Sequence, residues 1–395
     1  MTSDFQKGII SLIRSSIKSE PAVLPNHFDW SEALKVADRH QITPMIYYGA
    51  HKSGIELPDD SYVKLKRATY YAATVDTCQN CESSELFRTF SKNDIDYMPL
   101  KGILLKQFYP NPELRVMSDV DVLIKVEQYE AISDIMKRLG YFEKVESDHE
   151  LVWSKPPIMI IELHKRLIPS YNKDYYAYFG DGWQFARRSE YDPCRHEMCD
   201  EDQLIYLFTH FAKHYRDGGV GIKQLVDLWV FLNKNPEMNA DYIRTELTEL
   251  QLYQFYLNIL DTIDVWFCNA APNEMSDFIT KRVFDSGAYG EQDERTIAST
   301  VKALKSAGSA TKARRKKVLA IIFLPYPSMC KKYPVLKIVS VLLPLFWLVR
   351  IIQTVLFKPE SILRQRADMD IMTVDNINRY HDDLNYVGLD FNFKE

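Results

Sequence analysis

Through the first ninety or so positions the apolar residues fall at helical intervals. Phe5, Ile9, Ile10, Leu12, Ile13 and Ile17 line one face of a helix. Asp29 or Ser31 supplies a cap for a second helix, Glu32 to His40, and a long pattern with few breakers runs from Asp60 to Lys92. Its many polar positions leave one face of that helix exposed, and residues 1–92 form an N-terminal helical region. The period changes at Asn93. Ile95 to Leu100 predicts a strand, Gly102 to Phe108 a short helix, and Pro110-Asn111-Pro112 a loop. Val120 to Val126 alternates, with Val120, Val122, Ile124 and Val126 on one side and Asp119 and Asp121 on the other. Gln128 to Leu139 predicts a helix closed by Gly140, followed by strands at Glu150 to Trp153 and Ile158 to Leu163 joined at Pro156-Pro157. Residues 93–168 therefore predict an α+β core, a small mixed sheet with helices on one side.

From Asp200 the pattern is helical again: Asp200 to Tyr215, Ile222 to Asn233, one or two helices in Ala240 to Cys268, and Thr296 to Ala307. Residues 200–310 are expected to line a cleft against the sheet. In 311–395 a basic run, Lys312, Arg314, Arg315, Lys316 and Lys317, precedes the apolar patch Val318 to Leu324. A second apolar stretch, Ile338 to Val349, is too short for the roughly 20 residues of a membrane span. It reads as a buried helix, the alternative being peripheral docking of 312–352 on an anionic membrane. Glu360 to Glu395 is polar and weakly periodic, and is expected to be partly extended or loosely docked.

Apolar residues make up 46% of the 395, enough for folded cores, while a net charge of −5 argues against generic nucleic-acid binding. Six cysteines suit a reducing compartment better than a disulfide scaffold, and with no leader pattern at the start the expectation is a cytoplasmic protein. Cys78-x-x-Cys81 and Cys194-x4-Cys199 read as buried thiols rather than a zinc site. Glycine-rich nucleotide loops of the kinase or Rossmann type do not occur.

The chemistry concentrates in Leu100-Lys101-Gly102 and Arg115-Val116-Met117-Ser118-Asp119-Val120-Asp121. Two carboxylates at i and i+2 on a strand share a side, a repulsive arrangement unless a cation neutralises it. Mg2+ or Mn2+ does so while keeping positions for phosphate oxygens. Asp-x-Asp alone is a weak signal, since exposed strands often alternate charge. Its setting strengthens it: a glycine at a helix start, where backbone approaches a ligand closely, then a loop with an Arg.

This segment resembles the nucleotidyltransferase fold of the DNA polymerase β superfamily, and is most similar to a largely uncharacterised bacterial branch with Lys-Gly and Arg-x-x-Ser-Asp-x-Asp. Looser likeness extends to Trp30 to Tyr47, to His210-Phe211-Ala212-Lys213-His214 with Leu225-Val226-Asp227, and to Pro334 to Ile351. The resemblance implies that Asp119 and Asp121 bind metal, with Glu162 as third carboxylate and ligand or general base; the other reading of Glu162 is an edge-strand acid facing water. It implies an NTP substrate, ATP first among them, and an acceptor whose identity is open: sugar phosphate, small antibiotic, protein side chain or tRNA end. Lys101, Gly102, Arg115 and Ser118 are the candidates for nucleotide contact, Arg115 having ion pairing with Glu113 or a site aspartate as its alternative. His164 orients a carboxylate, contacts substrate or is structural. His210, Lys213 and His214 share a helix face and either contact substrate or form an ordinary hydrogen-bonded surface; Asp227 lines the cleft or pairs with Lys223, Lys213 or a histidine. A non-catalytic nucleotide- or partner-binding descendant, or a peripheral membrane factor in cell-surface polymer assembly, is the alternative to an enzyme.

Overall fold

The computed structural model describes residues 1–18, 20–288, 292–302, 308–357 and 359–389, and divides into two compact units. One comprises residues 1–213 and 220–288; the other comprises 214–219 and the described part of 289–391.

The first unit opens with α1 (Asp4–Lys18), α2 (Trp30–Arg39), α3 (Thr43–Lys52) and the 34-residue α4 (Asp59–Lys92). Asp29 caps α2, its carboxylate accepting the Glu32 N–H at 3.0 Å. The helix α3, missed in the pattern, packs tightly on α1: a Cβ on Gly49 would lie 2.0 Å from the Leu12 carbonyl oxygen, so glycine alone permits the approach.

Five strands follow, β1 (Tyr97–Leu100), β2 (Val120–Ile124), β3 (Phe142–Glu146), β4 (Glu150–Lys155) and β5 (Met159–His164), interrupted by the short α5 (Gly102–Leu105) and by α6 (Tyr129–Arg138). Their spatial order is β1-β2-β5-β4-β3, with β2 and β5 parallel and the other pairs antiparallel. The alternation along β2 is as expected at Val120, Val122 and Ile124, which enter one apolar core with Leu86, Phe90, Ile132, Trp153 and Ile161. Each fully buried side chain of this size contributes about 1.5–3 kcal/mol. Val126 departs from it, standing 53% exposed in a 3-10 turn past the strand end. The edge strand β3 has every side chain exposed, so no apolar alternation announced it; pairing with β4 holds it.

After α7 (Lys173–Phe179) and the pair β6 (Arg187–Arg188) and β7 (His196–Glu197) come α8 (Asp200–Arg216), α9 (Ile222–Lys234), α10 (Ala240–Glu249), α11 (Tyr253–Phe267) and α12 (Glu274–Asp285). The expectation of buried thiols fails for one pair: Cys78 and Cys81 lie on the exposed face of α4, whereas Cys194 is buried.

The second unit is helical. The helix expected at Thr296 to Ala307 spans Gln292–Val301; residues 303–307 lie outside the described residues. The tail is not extended: Pro359–Ile371 and Val374–Tyr386 are helices, and Ile377, Tyr380 and Leu384, at helical spacing, are buried. Residues 390–395 lie outside the described residues, as do the side chains of Lys317 and Ile321. The buried helix expected at Ile338 to Val349 is also corrected. Leu343–Phe357 is helical after two 3-10 turns, and Leu343, Phe346 and Trp347 pack on a small cluster of Met329, Cys330 and Leu336. The opposite side is uncovered, with Ile338 85%, Val341 78%, Leu345 53%, Leu348 59% and Ile352 57% exposed. The segment is apolar all round, and the cluster is large enough to cover only one side.

Candidate active site

The face of the sheet opposite its apolar core carries the titratable groups. Asp121 on β2 lies directly across from Glu162 on the parallel strand β5, and His164 follows Glu162 by two residues, so all three project to the same side. One ligand atom from each of Asp121, Glu162 and His164 comes within 4.8 Å of the others. Asp121 Oδ1 accepts from Lys101 Nζ at 2.8 Å and from His164 Nε2 at 2.7 Å; the same Nε2 stands 3.8 Å from Glu162 Oε2.

These groups are nearly dry, with side-chain exposures of 16% for Lys101, 9% for Asp121 and 3% for His164. Burial alone would raise the pKa of Asp121, but Lys101 and His164 outweigh it and hold the carboxyl well below its usual range. Asp119 moves upward, through burial and the charge of Asp121, against the pull of Lys101, Lys223 and Arg115. Glu162 is pushed up to about 8 by burial and then by Asp119 and Asp121. Burial and Lys101 lower the pKa of His164, keeping the ring neutral so that Nε2–H donates to Asp121. Acids crowded enough to drive one of them neutral are a donor set suited to a divalent cation, whose charge relieves that repulsion.

Lys101 reaches Asp121 from a backbone at φ 51°, a left-handed conformation costing a non-glycine residue about 1–3 kcal/mol. Its carbonyl accepts the N–H groups of Leu104 and Leu105, starting α5. At Gly102 a Cβ would meet Met117 Sδ at 2.6 Å, so the close approach this glycine permits is to the protein's own Met117.

Arg115 forms a two-pronged ion pair with Asp227 of α9, Nε to Oδ1 at 3.0 Å and Nη2 to Oδ2 at 2.8 Å, and its Nη1 donates to the Val116 carbonyl. Asp227 also accepts from Tyr109 at 2.6 Å, and Lys223, expected as a partner, makes no hydrogen bond to it. Instead Lys223 donates to Gln41 Oε1 at 2.6 Å and to the Val116 carbonyl at 3.1 Å, its pKa lowered to about 7 by burial and Arg115. Arg115 and Lys223 thus clamp the peptide that leads into Ser118 and Asp119.

Ser118 is exposed and borders a cavity of about 450 Å3 together with Arg115, Tyr71, Ala72, Val75 and Ile160. On α8, the His210 ring lies 6.4 Å from that of Tyr206, and Tyr206 stands beside Lys101 and Asp121. Lys213 is half-buried on the same helix, while His214 falls in the second unit. Among the described residues no group of three His, Cys, Asp or Glu ligands includes His210, His214 or a cysteine. Tyr206 and Lys223 belong to the site without standing in either motif. Lys223 carried a faint signal, four residues before Asp227 on one helix; Tyr206 carried none.

A mixed sheet with acids on adjacent strands, facing a buried lysine, is an arrangement able to hold a divalent cation against phosphate oxygens. The chain belongs to the family described as "Uncharacterised nucleotidyltransferase", whose profile matches residues 26–268 and so takes in β1 to β5 and α8 to α11. No curated protein and no solved structure matches the chain. Nucleotidyl transfer is accordingly its general activity.

Proposed function

We propose that the protein moves a nucleoside monophosphate from an NTP, ATP first among the candidates, to an acceptor hydroxyl, releasing pyrophosphate in a reaction that needs Mg2+ or Mn2+. The observation that supports this most is the convergence of Asp121, Glu162 and His164 beside Asp119 on one face of two parallel strands. Asp119, Asp121 and Glu162 would hold the cation, which supplies neutralisation of the acids and polarisation of phosphate oxygens. His164 fixes the orientation of Asp121 through its 2.7 Å hydrogen bond. Lys101 is the cation nearest the acids and takes the charge of the departing pyrophosphate. Glu162 accepts the acceptor's proton as the new O–P bond forms on the α-phosphorus and the bond to pyrophosphate breaks. Arg115 and Lys223 position the strand that carries Asp119. Ser118, exposed and next to Asp119 in the chain, is a candidate nucleotide contact, as are His210 and Lys213 of α8.

The test is purified protein with each α-labelled NTP, Mg2+ and cell extract, beside Asp119→Ala/Asp121→Ala with matching thermal unfolding. Label transfer is expected to vanish in the double variant; equal transfer would place the chemistry elsewhere.

A second reading, compatible with the first, has one observation behind it. Leu345, Leu348 and Ile352 recur at intervals of three and four as one exposed apolar stripe of the helix Leu343–Phe357, Ile338 and Val341 are exposed in the turns before it, and Lys331, Lys332 and Lys337, a few positions earlier in the chain, are exposed as well. No described helix is long and apolar enough to cross a membrane. An apolar face flanked by lysines instead suits lying on an anionic lipid surface.

A further inference from the structure

The cavity beside Ser118 has no part in the mechanism above. It is walled by the middle of α4 (Tyr71, Ala72, Val75), by Pro44 of α3, and by Ile158 and Ile160 at the start of β5. Its volume, about 450 Å3, is in the range of small-molecule sites. From these observations we propose that it is the acceptor subsite, shaped for a small alcohol with an apolar face and no negative charge. This rests on the nucleotidyl-transfer reading and names the class of substrate for it.

Direction comes from the order of the strands. Lys101 sits at the end of β1, the aspartates on β2, and Glu162 on β5, while the cavity continues outward along β5, β4 and β3 through Ile160, Ser154 and Lys144. In an in-line displacement the attacking and leaving oxygens lie on opposite sides of phosphorus. With pyrophosphate drawn to Lys101, the hydroxyl arrives from the Glu162 side. Ile160 shares the strand face of Glu162, two residues away, so the cavity opens where that hydroxyl must come from.

Charge narrows the ligand. Two cations line the cavity: Arg115, held by both oxygens of Asp227, and Lys144, exposed at the rim. Three acids line it: Asp76, paired with Lys106; Glu113, accepting from Tyr48 at 2.7 Å; and the exposed Asp38. A phosphate or carboxylate entering between these acids would meet repulsion with no spare buried cation to answer it. A hydroxyl or amine finds acceptors there, and an apolar ring finds Tyr71 and Val75. The chemistry excludes sugar phosphates and the phosphate-rich end of a tRNA.

The experiment uses the full chain, Mg2+ and α-labelled ATP, GTP, CTP and UTP. Cell extract is divided into a small-molecule pool that passes an anion exchanger, a small-molecule pool that it retains, and a macromolecular pool. Binding of each NTP with Mg2+ is measured separately by equilibrium dialysis. Label is expected to enter only compounds of the unretained pool. Ala72→Trp, which fills the cavity, is expected to lower that labelling about a hundredfold and leave NTP binding unchanged. Tyr71→Ala, at an exposed position, lowers it about tenfold. Label confined to the retained or macromolecular pool, no label in any pool, or undiminished labelling by Ala72→Trp overturns the assignment. So does loss of NTP binding in Ala72→Trp with Tyr71→Ala folded, which would give the cavity to the nucleobase. Failure of the unaltered chain to bind any NTP would instead overturn the transferase reading beneath it.

Discussion

At the scale of single residues, the pairing of Arg115 with Asp227 ties the active-site loop to α9. Both side chains are buried, at 11% and 8% exposure, and the guanidinium spends its donors on Asp227 and Val116. Removing one partner strands the other charge, so Arg115→Met alone is expected to cost about 3–5 kcal/mol in urea unfolding. Arg115→Met/Asp227→Leu should recover much of that loss, because two matched apolar side chains leave no buried ion. A double variant less stable than the single would show that the pair itself is strongly favourable. The two aspartates could be read from the chain because their relationship is local: alternation along one strand sets their side. The Arg115–Asp227 and Lys223–Gln41 contacts join residues 112 and 182 positions apart, and no local period encodes such a meeting.

At the scale of elements, His40 joins three helices. At the end of α2, its Nδ1 accepts the Ile222 N–H that begins α9, and its Nε2–H donates to the Phe284 carbonyl of α12, each at 3.2 Å. A second proton at Nδ1 would displace the Ile222 bond. Burial, aided by Arg39, lowers the pKa to about 4 from an ordinary 6.5. A histidine with a depressed folded-state pKa contributes stability that is complete above pH 6.5 and lost as pH falls toward 4. Between pH 7 and pH 5 the unfolding free energy should fall about 2 kcal/mol more in the native chain than in His40→Gln. Equal pH dependence in the two would remove His40 from the account. The periodic elements α1, β2, β5 and α9 were legible because each shows the core an apolar face, and α4 because few helix breakers interrupt its 34 residues. The strand β3 was not, since an edge strand with every side chain exposed is specified by its neighbour's hydrogen bonds. The final helices read as partly extended or loosely docked because their polar composition masks the period, although Ile377, Tyr380 and Leu384 already had the spacing.

At the scale of the whole molecule, the exposed apolar face of the second unit makes a prediction about where the protein resides. Flotation with phosphatidylglycerol vesicles should carry the chain upward, and vesicles of phosphatidylcholine alone should carry much less. Each lysine removed at Lys331, Lys332 or Lys337 should weaken partition about fivefold, and Leu345→Glu/Leu348→Glu should abolish it. Equal flotation by the double variant would assign the binding to another surface.

In the first unit, α4 has a different kind of reach. Its 34 residues make a rod about 50 Å long. Leu86 and Phe90 are anchored in the sheet's core, and Tyr71, Ala72 and Val75 stand along the cavity several turns earlier. An unbroken helix transmits tilt rather than absorbing it, so that wall cannot swing aside without disturbing the strands that carry the acids. On the acceptor-subsite proposal, selection among incoming molecules works as a gauge of fixed bore, not as a jaw that shuts on its catch.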